Sequence, residues 1–335
     1  MRGLWVTKYT DFNSLTIEEL NRSPLKPNQL RILVKAAGVS FATNLVVSGK
    51  YQRRPPLPFT PGTECAGLVM EIGSGVKKFS PGDRVFAALD WGGYAEEAVS
   101  FEVNTYHLTD AISFAQATNF NSYATAKAAL TWPRLLDVRS GDTLLVHGAA
   151  GALGLASIEL GKILGAEVIA TASNEDKLDV ARAYGADHVI NTSRDKFRDL
   201  VLEITCGRGV DKIIDPVGGH TFEQSLRCIS FEGRICPIGF SSGIAAPALT
   251  NIILIKNISV VGLNFGTYYG WSPQDIRYES ECLVRQIMNE FCVLSESGKI
   301  KPKVCEKYPL EMFREAMDHV ISRRSIGRVV LLMNN

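Results

Sequence analysis

The chain has no Cys-x-x-Cys pair; its seven cysteines are scattered through 335 residues. An odd, dispersed set argues against a zinc ribbon or a disulfide scaffold and leads to the expectation of reduced thiols in the cytoplasm. The five histidines are equally scattered, with no metal-binding spacing among them. Charge of neither sign prevails: 36 Lys and Arg stand against 35 Asp and Glu, a net charge of +1. Nothing electrostatic therefore calls for nucleic acid or an anionic membrane. Long apolar runs are missing too. The best, NIILIKNISVVG at 251–262, is broken by Lys256 and Asn257, so no membrane span is expected. The opening MRGLWVTKYTDF lacks the apolar core of a secretory signal. No tandem repeat or low-complexity tract is evident.

What is present, 46% hydrophobic and 21% charged residues, is the composition of a globular chain long enough for two domains. Up to about Asn119 short apolar runs alternate with turn signals. RILVK (31–35), CAGLVM (65–70) and DRVFAA (83–88) are separated by Gly and Pro turns such as Pro61-Gly62 and Gly92-Gly93. This rhythm predicts a β-rich, barrel-like domain. From about Asp142 strand-like and helical segments alternate. TLLVH, EVIAT, DHVI, VDKIID and RICPIG are the strands, and amphipathic segments lie between them. That is the βαβ series of a parallel sheet. Gly165 falls where the first of these helices should stop. A long helix over 275–291, a short strand, a helix over 310–322 and a last strand at 328–333 close the chain.

The first strand-to-helix turn reads LVHGAAGALGL, with Gly148, Gly151 and Gly154 at intervals of three. Small residues there let a pyrophosphate reach backbone N–H groups at the start of a helix near Ala152, and Gly154 lets that helix pack closely on the sheet. A purely structural glycine cluster is the competing reading, and the alternating strands favour a dinucleotide. The second strand ends in Ala172-Ser173-Asn174, without the terminal acid that holds a ribose 2′-OH, and Lys177 follows one turn later. NADPH is therefore expected over NADH. Ser173 with Asp176 also reads as a helix N-terminal capping box, and both readings can hold.

These residues resemble a family over essentially the whole chain. AAGVSFATNLVVSGKY, PGTECAGLVMEIGSGVKKFSPGDRV, VHGAAGALGLA, GADHVIN, IIDPVGG and Gly327-Arg328-Val329-Val330 are similar to the medium-chain dehydrogenase/reductases, and closely to their zinc-free quinone oxidoreductase branch. The resemblance implies an α/β protein in which a GroES-like β-rich catalytic domain, residues 1–120 and 267–335, encloses a doubly wound Rossmann domain, residues 121–266. Zinc members carry Cys and His near Ser40 and Thr63, and a four-Cys lobe absent here. Without a Lewis acid the acceptor itself must spread developing charge. A quinone suits best, with an enone or enoyl thioester as alternatives.

Carried over position by position, the resemblance implies Tyr51, Thr125 and Ser40 at the reacting centre. It puts Gly148, Ala150, Gly151, Ala152, Leu153 and Gly154 at the pyrophosphate, and Ser173, Lys177 and Thr192 at the adenosine end. Val217, Ile238, Gly239, Phe240, Leu263, Asn264 and Phe265 would line the cofactor's other side, and Arg328 would reach its phosphate. Relatives often have Asn, Asp and Tyr where this chain has Ser40, Thr43 and Leu45. Arg53 and Arg54, beside Tyr51, are either a solvated face or a site for coenzyme A phosphates. A homodimer is expected through the Rossmann edge, where 258–264 looks like the last strand.

Two readings from other classes compete. Gly239-Phe240-Ser241-Ser242-Gly243 fits the serine-hydrolase elbow G-x-S-x-G, with Asp275 and His319 following in order. Pro247 in the next turn argues against it. A crystallin-like, NADPH-binding or RNA-binding protein with little catalysis is the other.

Overall fold

The computed structural model describes residues 1–334. It separates into two compact units, Met1–Asn121 with Gly266–Asn335, and Ser122–Phe265.

The first unit begins with β1 (Arg2–Trp5) and β2 (Thr16–Glu19), an antiparallel pair. It continues through β3 (Gln29–Val39), α1 (Phe41–Val47), β4 (Glu64–Ile72), β5 (Arg84–Ala88), β6 (Glu97–Phe101), β7 (Thr105–His107) and α2 (Phe114–Ala117). β3 is the hub. Residues 29–33 pair with β6, residues 30–36 with β4, and Ala36–Val39 with a strand from the other end of the chain. Leu30, Ile32, Val34, Val85, Ala87 and Phe59 point into its core and are essentially buried.

α3 (Phe120–Thr131) carries the boundary. The second unit then runs β8 (Thr143–Val146), α4 (Ala152–Ile163), β9 (Glu167–Ala172), α5 (Glu175–Ala183), β10 (His188–Asn191), α6 (Phe197–Ile204), β11 (Val210–Asp215), α7 (Gly219–Cys228), β12 (Ile229–Pro237), α8 (Thr250–Lys256) and β13 (Ser259–Val260). The sheet is parallel, in the order β10-β9-β8-β11-β12-β13. This is the doubly wound order, reversing between β8 and β11. Because helices flank the sheet, its strands are apolar on both faces; Leu145, Ile169, Ile190, Ile213 and Ile235 form its core. Gly165 ends the first crossover at φ +82°, a left-handed conformation that suits glycine.

The first unit is completed by α9 (Arg277–Glu296), β14 (Val304–Pro309), α10 (Phe313–Ile321) and β15 (Arg328–Leu332). β15 pairs antiparallel with β3, and β14 pairs with β15. Among the described residues no helix is long and apolar enough to cross a membrane.

Two local expectations need correction. The last strand of the Rossmann sheet is Ser259–Val260 rather than residues 258–264. Its ladder reaches only Arg234 and Ile235, with Val261 N–H adding one bond to Ile235 O at 2.9 Å. Gly262 and Asn264 then lower the strand propensity of the segment. The cap of α5 is Asn174, not Ser173: Asn174 Oδ1 accepts Lys177 N–H at 3.0 Å. Ser173 is left outside the helix, where its hydroxyl faces the Lys177 ammonium instead.

Candidate active site and cofactor cradle

In the second unit the fold leaves a backbone surface at the ends of β8, β9 and β11. β8 runs into His147, and Gly148 turns the chain at φ +59°. Gly151 caps α4 with no side chain, so the first N–H groups of a 12-residue helix have no side-chain acceptor. A methyl on Gly154 would lie 2.4 Å from Gly148 O and 2.6 Å from Ala149 Cα, both fixed backbone. Gly154 therefore allows the helix to meet the turn, as the sequence spacing suggested. At Gly151 the nearest neighbour of such a methyl is 3.4 Å away, so packing does not demand glycine there. What glycine leaves open at that position is access to the helix N-terminus, the arrangement that accommodates phosphate.

The turn rests on a buried histidine. His147 Nδ1 lies 2.8 Å from Thr171 Oγ1 and Nε2 lies 2.8 Å from Ser225 Oγ. Burial pushes its pKa below the usual 6.5, with Asp215 opposing the shift. Asp215 is fully buried and organises the neighbouring strand end: its Oδ1 accepts Val217 N–H at 2.8 Å and Gly218 N–H at 3.1 Å. Its carbonyl accepts Ile238 N–H at 2.9 Å. Val217, Ile238, Gly239 and Phe240 are thus gathered at one edge. Phe240 is exposed; Phe265 packs on Trp132 with ring centroids 6.1 Å apart. Leu263 and Asn264 follow β13 in the irregular segment, and Thr125 is half-buried on α3.

Ser173, Lys177 and Thr192 come together at the ends of β9 and β10. Lys177 Nζ reaches Ser173 Oγ at 3.4 Å, and Thr192 Oγ1 donates to Ala172 O at 3.2 Å. The nearby Glu175 accepts from Asn191 Nδ2 at 2.9 Å.

The first unit holds a hollow open to solvent. Tyr51 lines it, held by its N–H to Leu45 O (3.1 Å) at the end of α1. Burial pushes the Tyr51 phenol up from its usual 10, with the Arg53 charge opposing, so it is a neutral donor at ordinary pH. Thr43, Thr63, Arg53, Asp90, Trp91 and Trp271 share the lining, with Phe59 and Val46 on its apolar side. The hydroxyls of the lining are those of Thr43 and Thr63. Ser40 caps α1 instead: its Oγ accepts Thr43 N–H at 3.3 Å and lies 3.0 Å from Thr43 Oγ1.

Arg328 is turned into the first unit, where its guanidinium meets the fully buried Glu64. Burial pushes its pKa down to about 10. Of the hollow's residues, sequence reasoning missed Asp90, Trp91 and Trp271, and Arg277 behind them; Tyr51 was singled out, Arg53 stood out through its adjacency to it, and Thr43 and Thr63 were noted only as departures from relatives.

The hydrolase reading fails on geometry. Ser241 and Ser242 sit in a turn bonded to Pro216 O and Val217 O, and the next helix begins only at Thr250. His319 bonds Tyr308 OH at 2.9 Å, and Asp275 binds Arg277 at 2.9 Å.

Known proteins share this architecture. Residues 26–134 match the model of the alcohol dehydrogenase GroES-like domain, and residues 152–284 that of the zinc-binding dehydrogenase. The chain is 38% identical over 318 residues to a quinone oxidoreductase-like protein 2 homologue of Nematostella vectensis, covering 94% of this chain and 84% of the relative. It belongs to the quinone oxidoreductase branch of the medium-chain dehydrogenase/reductases. A rat quinone oxidoreductase is 31% identical, covering 91% of this chain and 89% of its own. The Escherichia coli quinone oxidoreductase crystallised with NADPH superposes with a TM-score of 0.90 at 30% identity, over 99% of this chain and 100% of that one. The zinc in the second model's description does not fit this member of the branch. Ser40 and Thr63 offer hydroxyls, and no group of three His, Cys, Asp or Glu among the described residues could hold a metal.

Proposed function

We propose that the protein reduces a conjugated carbonyl acceptor with NADPH, with quinones foremost among the acceptors. The observation that carries this reading is the hollow's polar set, a neutral phenol, two threonine hydroxyls and a guanidinium paired with Asp90, with no metal donor cluster among the described residues. Such a wall can hydrogen-bond an acceptor oxygen but supplies no Lewis acid, so the acceptor must delocalise its own charge. The names of the relatives agree, and the Escherichia coli quinone oxidoreductase was crystallised with NADPH.

The cradle fits that cofactor. The turn from Gly148 to Gly154 would take the pyrophosphate, and Ser173, Lys177 and Thr192 the 2′-phosphate end. Val217, Ile238–Phe240 and 263–265 would flank the rest, with Thr125 toward the ring. When bound, the nicotinamide supplies the hydride. Tyr51 then holds the acceptor oxygen by its O–H. Its raised pKa makes it a better hydrogen-bond donor than proton source, which favours positioning for quinones, whose reduced anion takes its proton from water.

We further propose a homodimer through β13. Val260 is 37% exposed on that edge, and Leu254 and Ile255 beside it are more than 75% exposed. A monomeric mass in light scattering overturns this. All seven cysteines are free thiols, which supports a reducing compartment such as the cytoplasm.

Oxidation of NADPH and NADH with a naphthoquinone, an enal and an enoyl-CoA ester tests the function. Quinone turnover is expected, with NADPH ahead of NADH by about tenfold or more, the scale of one charged phosphate contact. Tight NADPH binding without turnover of any acceptor points instead to a cofactor-binding protein of the crystallin kind.

A further inference from the structure

The wall of the hollow formed by Arg53, Asp90 and Trp271 has more hydrogen-bond donors than acceptors. Arg53 stands 5.0 Å from the Trp91 ring centroid and 5.7 Å from that of Trp271. Its Nη2 lies 3.2 Å from Asp90 Oδ1, and Nη1 donates to Asp90 O at 3.0 Å. The Asp90 carboxylate is not its alone. Arg277, only 5% exposed, reaches the same group from behind at 3.2 and 3.4 Å. The other acid on Arg277 is Asp275, half exposed and so screened by water. Two buried donors on this side, Arg277 Nη1 and Trp271 Nε1, have no partner among the described residues.

Two guanidinium groups thus share one carboxylate, itself about a quarter exposed, and the one facing the hollow is only partly compensated. Burial outweighs Asp90 in the balance at Arg53, pulling its pKa below the usual 12.5. An arginine flanked by indole faces keeps its planar fork oriented and still has N–H groups to donate. A lysine would lack both the fork and the stacking. The adjoining Trp91 and Trp271 faces suit a flat, conjugated body.

We infer that Arg53 determines acceptor specificity, selecting conjugated acceptors that carry a carboxylate while Trp91 and Trp271 take their planar part. This rests on the reductase reading and narrows it from conjugated acceptors in general to anionic ones.

The test is calorimetric titration of the NADPH-saturated protein with 2-naphthoate and with uncharged 2-naphthamide. The unmodified protein is expected to prefer naphthoate by on the order of 10–100-fold, the range for a charge-assisted bidentate pair. In Arg53→Gln that ratio falls toward one, and in Arg53→Lys it lies between. Trp271→Phe keeps a flat face beside Arg53 but removes the unpartnered N–H, and it lowers the ratio less than Arg53→Gln does. A ratio that persists in Arg53→Gln overturns the inference, as does equal or absent binding of both ligands to the unmodified protein. Equal weakening of both ligands in Arg53→Gln marks Arg53 as structural and overturns it too. Should Arg53→Gln not fold, Trp271→Phe and Arg53→Lys decide the matter alone. Turnover of a carboxylated naphthoquinone and its carboxamide separates the two levels. If the unmodified protein reduces neither, the reductase reading fails, while the binding ratio still decides the role of Arg53.

Discussion

The two units build their candidate sites from opposite materials. In the second, the cradle is backbone: one strand, one turn and one helix N-terminus within residues 143–163, shaped by side chains that are absent. In the first, the hollow is side chain. Its members run from Ala42 through Tyr51, Asp90 and Trp91 to Trp271, more than 220 positions along the chain. A backbone site depends on local geometry and tolerates few residue types. A side-chain site depends on tertiary assembly and can be rewritten one residue at a time. On the proposed function, cofactor binding belongs to the first kind of site, and the choice of acceptor to the second.

The contrast is tested most severely at Gly154. Gly154→Ala places a methyl against Gly148 O and Ala149 Cα, and the second unit is expected to lose about 3 kcal/mol, the upper range of overpacking. Urea unfolding reads the loss, and NADPH fluorescence titration should show binding lost with it. Gly151→Ala sharpens the result. With 3.4 Å of clearance its stability should stay within about 1 kcal/mol, while NADPH affinity falls because the methyl covers the helix N-terminus. Unchanged affinity there would remove the pyrophosphate from this turn.

Tyr51→Phe examines the side-chain site. If Tyr51 positions a quinone, KM rises while kcat is largely kept. If it donates the proton to an enoyl thioester, kcat falls on the order of 100-fold. Steady-state kinetics on one substrate of each class distinguishes the roles, and no change for either returns Tyr51 to the rank of a loop residue.

The smallest effect belongs to His147. Its folded pKa is depressed, so it stays neutral in the folded state while the unfolded chain takes up a proton near the usual 6.5. Its contribution is complete above that value and is lost as pH falls, by at most about 1.4 kcal/mol per unit. Melting temperature followed from pH 7 downward should decline less steeply in His147→Gln than in the unmodified protein. Equal slopes assign the acid sensitivity to other groups.

What could be read from the sequence follows the same division. The βαβ rhythm and the close packing at Gly154 were legible because each is encoded within a few residues. The Asn174 cap was displaced by one position because Ser173 and Asn174 are both competent caps and adjacent in the sequence. The ion pair of Arg328 gave no signal for a different reason. The charge was visible, but its partner Glu64 lies 264 positions away and is brought to it only when β15 joins β3 beside β4. Trp271 and Asp90 gave no signal at all, being an aromatic and an acid in irregular segments.

That joining of β15 to β3 has a bearing on how the chain is made. Val329–Leu332 leave the ribosome roughly 290 residues after Ala36–Val39, their partners on the central strand of the first unit. At about 5–20 residues per second, that is a delay of some 15–60 seconds. For that interval one end of the hub strand waits with open hydrogen-bonding groups, while the whole second unit has already emerged and can fold. The nascent protein is thus vulnerable along β3 until β15 has been translated.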